Sequence, residues 1–382
     1  MAIFSATTGG ALGREQFPVI GACVYFDHAG VAPVSRRVAD AVATFVADAR
    51  DFARLHYPAW EARAEAVRAG AARLIGASPE EVAFVASTSD GLSSIATALD
   101  WRAGDSVVAV DGEFPANVYP WWALRRLGVE TRLAPTVDGR LTVEAVAALV
   151  DGTTRIVSVS AVDFATGHRR PLAAIAELCR RRGVLFCVDA IQALGAVRID
   201  VERDGIDALS ADGHKWLCAP EGCGLLYVSR RWLDRLVPQR IGWKSVVDAS
   251  RYLPYHFELK ADAQKFECGS SNFLAIHALG AAIDLMLELG VDAIERRVLA
   301  VTTTLRAALV GRGFRLVSPD GAHECAGITT IGVGDTPEAV VRKLRAAGVL
   351  ASPRGGGVRF SPHVYCDDDD IARCLEALGA AR

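Results

Sequence analysis

Between Glu81 and Val228, short apolar runs of strand character alternate with amphipathic runs of helical period. "EVAFVAS" precedes a helix beginning near Asp90, "DSVVAVDG" precedes "NVYPWWALRRLG", and "TRIVSVSAV" precedes "PLAAIAELCRRRG". "GVLFCVDA" then leads to "IDALSA" and "GLLYVS". Apolar runs of roughly four to eight residues separated by helices define βαβ units, with strands covered on both faces. The expected class is therefore α/β with a mainly parallel sheet. Such sheets bind ligands at the carboxyl ends of their strands. Ser87–Asp90, Glu113–Asn117, Asp189–Gln192 and His214–Lys215 all fall there. The alternation fades over Trp243–Ala263, and a long helical stretch runs from Asn272 to about Leu309. "GITTIGV", "PEAVVRKLRAAG", "VRFSPHVY" and a last helix near Asp370–Leu378 then predict a smaller α+β C-terminal domain. The predicted division is an N-terminal arm at 1–20, a large ligand-binding domain at 21–265 and a small domain at 266–382.

One lysine stands out. In "SADGHKWLCAPEGCG", Ser210–Gly224, Lys215 sits between two apolar runs, as a lysine held between buried strands would. Taken alone it reads as a solvated loop residue. Asp189 changes that reading, because it ends the apolar strand "VLFCVD" and a carboxylate there is costly without a partner. Gln192 lies three residues beyond Asp189, and Lys215 lies 26 beyond it. A strand-end Asp and a buried Lys are what pyridoxal 5'-phosphate requires: an amine to condense with its aldehyde, and a carboxylate to keep its ring nitrogen protonated. A structural ion pair would leave the same trace.

Composition narrows the alternatives. The chain has 382 residues, 51% apolar and 23% charged, as ordinary globular proteins do. A formal net charge of -3 gives no reason to expect nucleic acid or an anionic membrane as partner. No run of about eighteen apolar residues predicts a membrane span, and the N-terminus lacks a basic leader with an apolar block. None of the nine cysteines forms a CxxC pair, and Cys187 and Cys268 sit in apolar sequence, so reduced thiols and a cytoplasmic location are expected. The eight histidines show no metal-ligand spacing, and no metal site is expected. "DDDD" at Asp367–Asp370 reads as the acidic first turn of the last helix.

"VDAIQALGAVRIDV" followed by "SADGHKWLCAPEGCGLLYV" closely resembles the class V aminotransferase family of pyridoxal phosphate enzymes. That family includes cysteine desulfurases, selenocysteine lyase, isopenicillin N epimerase-like proteins and kynureninase. The resemblance extends from "YFDHAGVAPVS" at Tyr25 to "VRFSPHVY". It implies the pyridoxal phosphate fold of type I, with a seven-stranded type of sheet in the large domain. It further implies that Lys215 carries the cofactor, Asp189 pairs with the pyridine nitrogen and Gln192 bonds the ring hydroxyl oxygen. His214 and Asp212 would lie near the phosphate or the lysine, although many relatives have serine where Asp212 stands. Thr88 and Ser89 in "STSD" open a helix whose N–H groups and hydroxyls can cradle a phosphate, or form a plain cap. Phe114 stands where the family places an aromatic ring over the pyridine; outside that motif it would read as a core aromatic. Ser270 in "FECGSSN" matches the hydroxyl that reaches the neighbouring subunit's phosphate, which implies a homodimer with shared sites. Arg359 in "GGGVRFSPH" matches the arginine that holds the substrate α-carboxylate. His28 in "FDHAGVAP" is either a substrate contact or a satisfied structural histidine.

Two departures bear on the reaction. Desulfurases usually have histidine where Phe114 stands, and one branch carries its nucleophilic cysteine in the loop before the carboxylate arginine. Here that loop is Ser352, Pro353, Arg354 and three glycines, and Cys325 lies before the preceding strand. Phe164, where a polar group is common, makes the pocket more apolar. Desulfuration is therefore disfavoured. The leading expectation is an aminotransferase acting at the α-carbon of an amino acid; a C–S or other β-lyase, a cysteine desulfurase-like enzyme, and epimerisation or kynureninase-like cleavage are the alternatives. A cofactor-binding regulatory protein fits the Lys215–Asp189–Arg359 set poorly, and a nicotinamide dehydrogenase lacks its GxGxxG after the first strand. Substrate choice is expected from a subset of Trp121, Trp122, Trp243, Tyr252, Tyr255 and His28.

Overall fold

The computed structural model describes residues 12–321, 323–334 and 336–380. Residues 1–11 of the expected N-terminal arm lie outside them. The strands in chain order are β1 (Val24–Tyr25), β2 (Val82–Val85), β3 (Ser106–Val110), β4 (Glu130–Ala134), β5 (Thr154–Ser160), β6 (Leu185–Asp189), β7 (Ala208–Asp212) and β8 (Gly224–Val228). They continue as β9 (Arg315–Leu316), β10 (Thr329–Gly332), β11 (Val349–Leu350), β12 (Ser352–Arg354) and β13 (Gly357–Phe360).

A seven-stranded sheet in the order β2-β8-β7-β6-β5-β3-β4 forms the centre. Every neighbouring pair from β7 to β4 is parallel; β8 runs antiparallel to both β7 and β2. All residues of β3, β6, β7 and β8 are buried, which is why these strands read as unbroken apolar runs rather than alternating ones. A four-stranded antiparallel sheet, β12-β13-β10-β9, with the helices Pro337–Ala346 and Asp368–Ala380 makes the smaller α+β unit. The acidic run caps the last helix: Asp367 and Asp370 exchange backbone N–H to carboxylate bonds at 3.1 and 3.0 Å, and Arg14 pairs with Asp370 at 2.8 Å.

Packing crosses the expected domain cuts. β1 pairs in parallel with β11, and Ser361 N–H donates to Phe26 O at 2.7 Å. Two-residue strands have no other source of ladder bonds, so the segment from Leu12 to His28 rides with the C-terminal unit. The helix Phe273–Leu289, placed by sequence in the small domain, packs on the helices Arg36–Asp51 and Tyr57–Ile75. Gly280 makes that approach close: a Cβ there would stand 2.3 Å from a Val67 methyl. The long stretch expected over 272–309 is two helices, Phe273–Leu289 and Val291–Gly311, meeting at 82°. Gly290 between them has φ +83°, a left-handed conformation that ends a helix. No single helix among the described residues is long and apolar enough to cross a membrane.

Candidate active site

The carboxyl edge of the large sheet opens into a cavity of about 310 Å³. Thr88, Ser89, Phe114, Asp189, Gln192, Asp212, His214, Lys215 and Arg359 all line it. A second recess of about 330 Å³, bounded by Pro171, Val197 and Ile199, holds none of the expected site residues.

Close backbone approach explains the glycines around Lys215. A Cβ on Gly213 would stand 2.9 Å from Ala219 Cβ, and one on Gly224 2.5 Å from Ala211 O. Gly222 has φ +96°. The turn after β7 is thus held tight against β8, and Trp216, with no exposed surface, anchors Lys215 from behind. Asp189, the last residue of β6, is 1% exposed. Its Oδ1 accepts from Ile191 N–H at 3.0 Å, while Oδ2 is buried with no partner. Burial pushes this carboxyl up to about 7. Burial also lowers the Lys215 amine to about 8; Asp189 opposes that drop and Arg359 adds to it. Both groups have lost water without gaining each other as a contact, a state that native proteins reserve for sites with a ligand to come.

Gln192 is oriented from two sides: its Nε2 donates to Ala29 O at 3.0 Å and its Oε1 accepts from Trp216 Nε1 at 3.0 Å. One amide N–H remains for a ligand. Ser87 caps the helix Thr88–Ala98, accepting from Asp90 N–H at 3.1 Å. Gly91 lets this helix lie against β7, since a Cβ there would meet Ser210 Oγ at 2.2 Å. Asp212 N–H consequently donates to Thr88 Oγ1 at 2.9 Å, so the helix start and the end of β7 form one wall. The open N–H groups of the first turn and the hydroxyls of Thr88 and Ser89 form an anion cradle. Asp90 in that turn is paired with Arg240. His214 Nδ1 lies 3.1 Å from Asp212 Oδ2, yet buried and without an aligned hydrogen bond. Asp212 Oδ1 accepts from Gly213 N–H at 2.6 Å.

The opposite wall is aromatic. Phe114 and Phe164 meet edge to face at 5.4 Å between centroids, and Lys215 Nζ lies 5.6 Å from the Phe114 ring. Phe114 is 42% exposed, so it is a wall of the cavity and not a core residue. Arg359 on β13 is buried; its Nη1 donates to Phe164 O at 2.8 Å and its Nη2 to Asp27 Oδ1 at 3.1 Å.

Several expected residues lie elsewhere. His28 has no exposed surface, and its ring nitrogens bond Ser361 O at 2.8 Å and the Tyr365 hydroxyl at 2.7 Å. It is a satisfied structural histidine outside the cavity; its neighbours Ala29, Gly30 and Val31 line the cavity instead. Ser270 is exposed in an adjoining recess of about 250 Å³. Trp121 is buried, bonded to Asn117 at 3.2 Å. Trp122, Trp243, Tyr252 and Tyr255 are exposed and do not line the cavity. Cys268 is exposed, contrary to the expectation from its sequence surroundings. Cys325 donates toward Gly321 O at 3.4 Å and lies outside the cavity. Asp27, Trp216 and Arg170 contribute to the site without having been singled out. The charged flanks of Phe164 in "VDFATGHRRP" were the available signal for Arg170.

A buried carboxylate oxygen without a partner, a dehydrated lysine and a helix-start anion cradle in one cavity match the ring nitrogen, aldehyde and phosphate of pyridoxal phosphate. Fold and site together define a pyridoxal phosphate-dependent enzyme. The aminotransferase class-V family model matches residues 24–367, and the chain belongs to that family. It is 30% identical to an uncharacterized aminotransferase, YcbU, of Bacillus subtilis, over 81% of each chain. It is 31% identical to a probable cysteine desulfurase of Methanothermobacter thermautotrophicus, over 96% of each. A solved complex of the cystine C-S lyase C-DES with cysteine persulfide shares the fold, with a TM-score of 0.88, 23% identity, and coverage of 95% of this chain and 99% of that one.

Proposed function

We propose that the chain transaminates an amino acid, as a cytoplasmic homodimer. The observation that carries the reading is the partnerless Asp189 Oδ2 in the same cavity as a dehydrated Lys215. Pyridoxal phosphate supplies an aldehyde that captures an amino group and a ring that draws electrons from the α-carbon. Asp189 holds the proton on the ring nitrogen. Gln192 offers its remaining N–H to the ring oxygen, and Thr88 and Ser89 bind the phosphate. Arg359 orients the α-carboxylate through its remaining Nη hydrogens. Phe114 shields one ring face from water. Lys215 would take the proton from the substrate α-carbon and hand it to the carbon that carried the cofactor's aldehyde, its amine already shifted toward neutral pH. Phe114 carries no proton, which leaves Lys215 as the donor and favours transamination. Among the described residues no cysteine lines the cavity, which counts against thiol-dependent desulfuration.

Ser270 on the surface and the exposed run of Tyr252, Leu253, Tyr255 and Phe257 support a second copy as partner. Nine unpaired thiols support a reducing compartment. The test mixes holoenzyme with a panel of amino acids, cysteine conjugates included, without any keto acid. Transamination converts the cofactor stoichiometrically to its pyridoxamine form and stops. Continuous release of pyruvate and ammonia would make the enzyme a β-lyase instead. Dilution to monomer is expected to release cofactor, and a fully active monomer by light scattering would overturn the shared-site reading.

A further inference from the structure

Behind the aromatic wall lies an ion cluster that none of the roles above uses. Arg170 and Glu113 are both buried, and Arg170 Nη1 donates to Glu113 Oε1. Arg170 Nη2 reaches Asp163 Oδ2 at 3.4 Å. Each carboxylate is itself fastened. Glu113 accepts from Ser160 N–H at 2.7 Å and from Ser160 Oγ at 2.6 Å, on the strand end beside Asp189. Asp163 Oδ1 accepts from Ala165 N–H at 3.0 Å, Thr166 N–H at 2.7 Å and Thr166 Oγ1 at 2.9 Å, closing its own turn. The residue after Glu113 is Phe114, and the residue after Asp163 is Phe164. The Phe164 carbonyl, in turn, accepts from Arg359.

We propose that Arg170 is a positioning residue whose single guanidinium clamps the two loops bearing Phe114 and Phe164, and through the Phe164 carbonyl sets Arg359. A planar fork can hold two carboxylates in fixed directions; a lysine ammonium at the same depth is a point charge on a flexible stem. A buried charge with both anionic partners in place is also costly to disturb, because removing one partner strands the other. The clamp therefore couples the ring-covering wall to the carboxylate-holding arginine, and both move if it opens. This inference rests on Phe114 as the ring cover and Arg359 as the carboxylate holder.

The test uses two variants of the full chain. Arg170→Lys keeps a cation beside Glu113 and loses the reach to Asp163. Asp163→Asn keeps the Oδ1 acceptor of the turn and removes only the acceptor facing Arg170; it decides the matter if Arg170→Lys fails to fold. Two readouts avoid any need for the natural substrate. The first is visible circular dichroism of the bound cofactor, which reports how asymmetrically its ring is held. The second is the affinity of the apo chain for N-phosphopyridoxyl-L-alanine relative to N-phosphopyridoxyl-ethylamine, which differ only in the carboxylate.

The wild type is expected to prefer the carboxylate-bearing probe by about tenfold or more, the worth of one charge-assisted bond. Each variant that folds should bring that ratio close to one and weaken the dichroic band. The double variant should be no worse than either single, since both cut one connection. Variants that keep the wild-type ratio and band would overturn the clamp while leaving the functional reading intact, as would additive losses. A wild-type ratio near one would remove the Arg359 role, and the clamp with it. A wild type that takes up no pyridoxal phosphate would remove the functional reading itself.

Discussion

Two buried polar clusters adjoin along the turn after β7, and they differ in one respect. Around Trp216, His28, Ser361, His363 and Tyr365 bond one another or the backbone at distances such as 2.7 Å for His28–Tyr365 and 2.8 Å for His363–Trp216 O. On the cavity side, Asp189 Oδ2 and His214 Nδ1 are equally buried and make no hydrogen bond. The first cluster is complete without a ligand, and the second is not. Burial alone does not mark a functional polar residue; an unmet bond does. The same contrast explains why His28, next to the cavity in sequence, is structural, while Asp189 is poised.

The comparison breaks most sharply at Asp189. Asp189→Asn is expected to lower turnover by about a hundredfold or more, because the ring proton loses its counter-charge. The apo chain should nevertheless become more stable at pH 8, by on the order of 2 kcal/mol in denaturant titration. The sign follows from burial. A carboxyl raised to about 7 in the fold contributes stability below its unfolded value near 3.8 and loses it as pH rises through 7. His363 titrates the other way. Burial lowers it to about 4, so its contribution is present above pH 6.5 and lost as pH falls toward 4. In the Asp189→Asn variant the lowered histidines remain, so stability should rise from pH 4 to 6.5 and then stay level up to about pH 8, where the lowered Lys215 begins to titrate. A variant whose apo stability follows the wild type's course between pH 4 and 7 would contradict the assignment.

His28→Phe probes the satisfied cluster and should do the reverse. It leaves the Tyr365 hydroxyl unmet and removes the side-chain bond to Ser361 O, at a cost of about 2–4 kcal/mol in thermal or denaturant unfolding. Cofactor affinity of the folded variant should stay within about threefold of wild type, a change under 1 kcal/mol. A selective loss of cofactor binding with unchanged stability would return His28 to the site.

Legibility followed the range of the interactions. Strand runs such as "VLFCVD" and "GLLYV" were readable because full burial on both faces leaves a local apolar signature. Lys215, Asp189 and Thr88 were readable because each sits at a strand or helix end that the same local pattern marks. The riding of β1 on β11 was not, because it depends on pairings hundreds of residues apart, such as Val24 with Val349. The break at Gly290 is a local signal that the helical period on either side of it masks.

By itself the sequence determined an α/β chain with a lysine and a carboxylate at the carboxyl edge of a parallel sheet, since apolar period and strand-end placement are local properties. Only the tertiary structure decided which buried polar groups are complete. His28 finds Tyr365 and Ser361 across more than 330 residues, and Arg359 finds Asp27 and Phe164. Asp189 finds no partner for one oxygen. A hydrogen bond is a relation between two places in space, and one chain position carries no record of whether the other arrives.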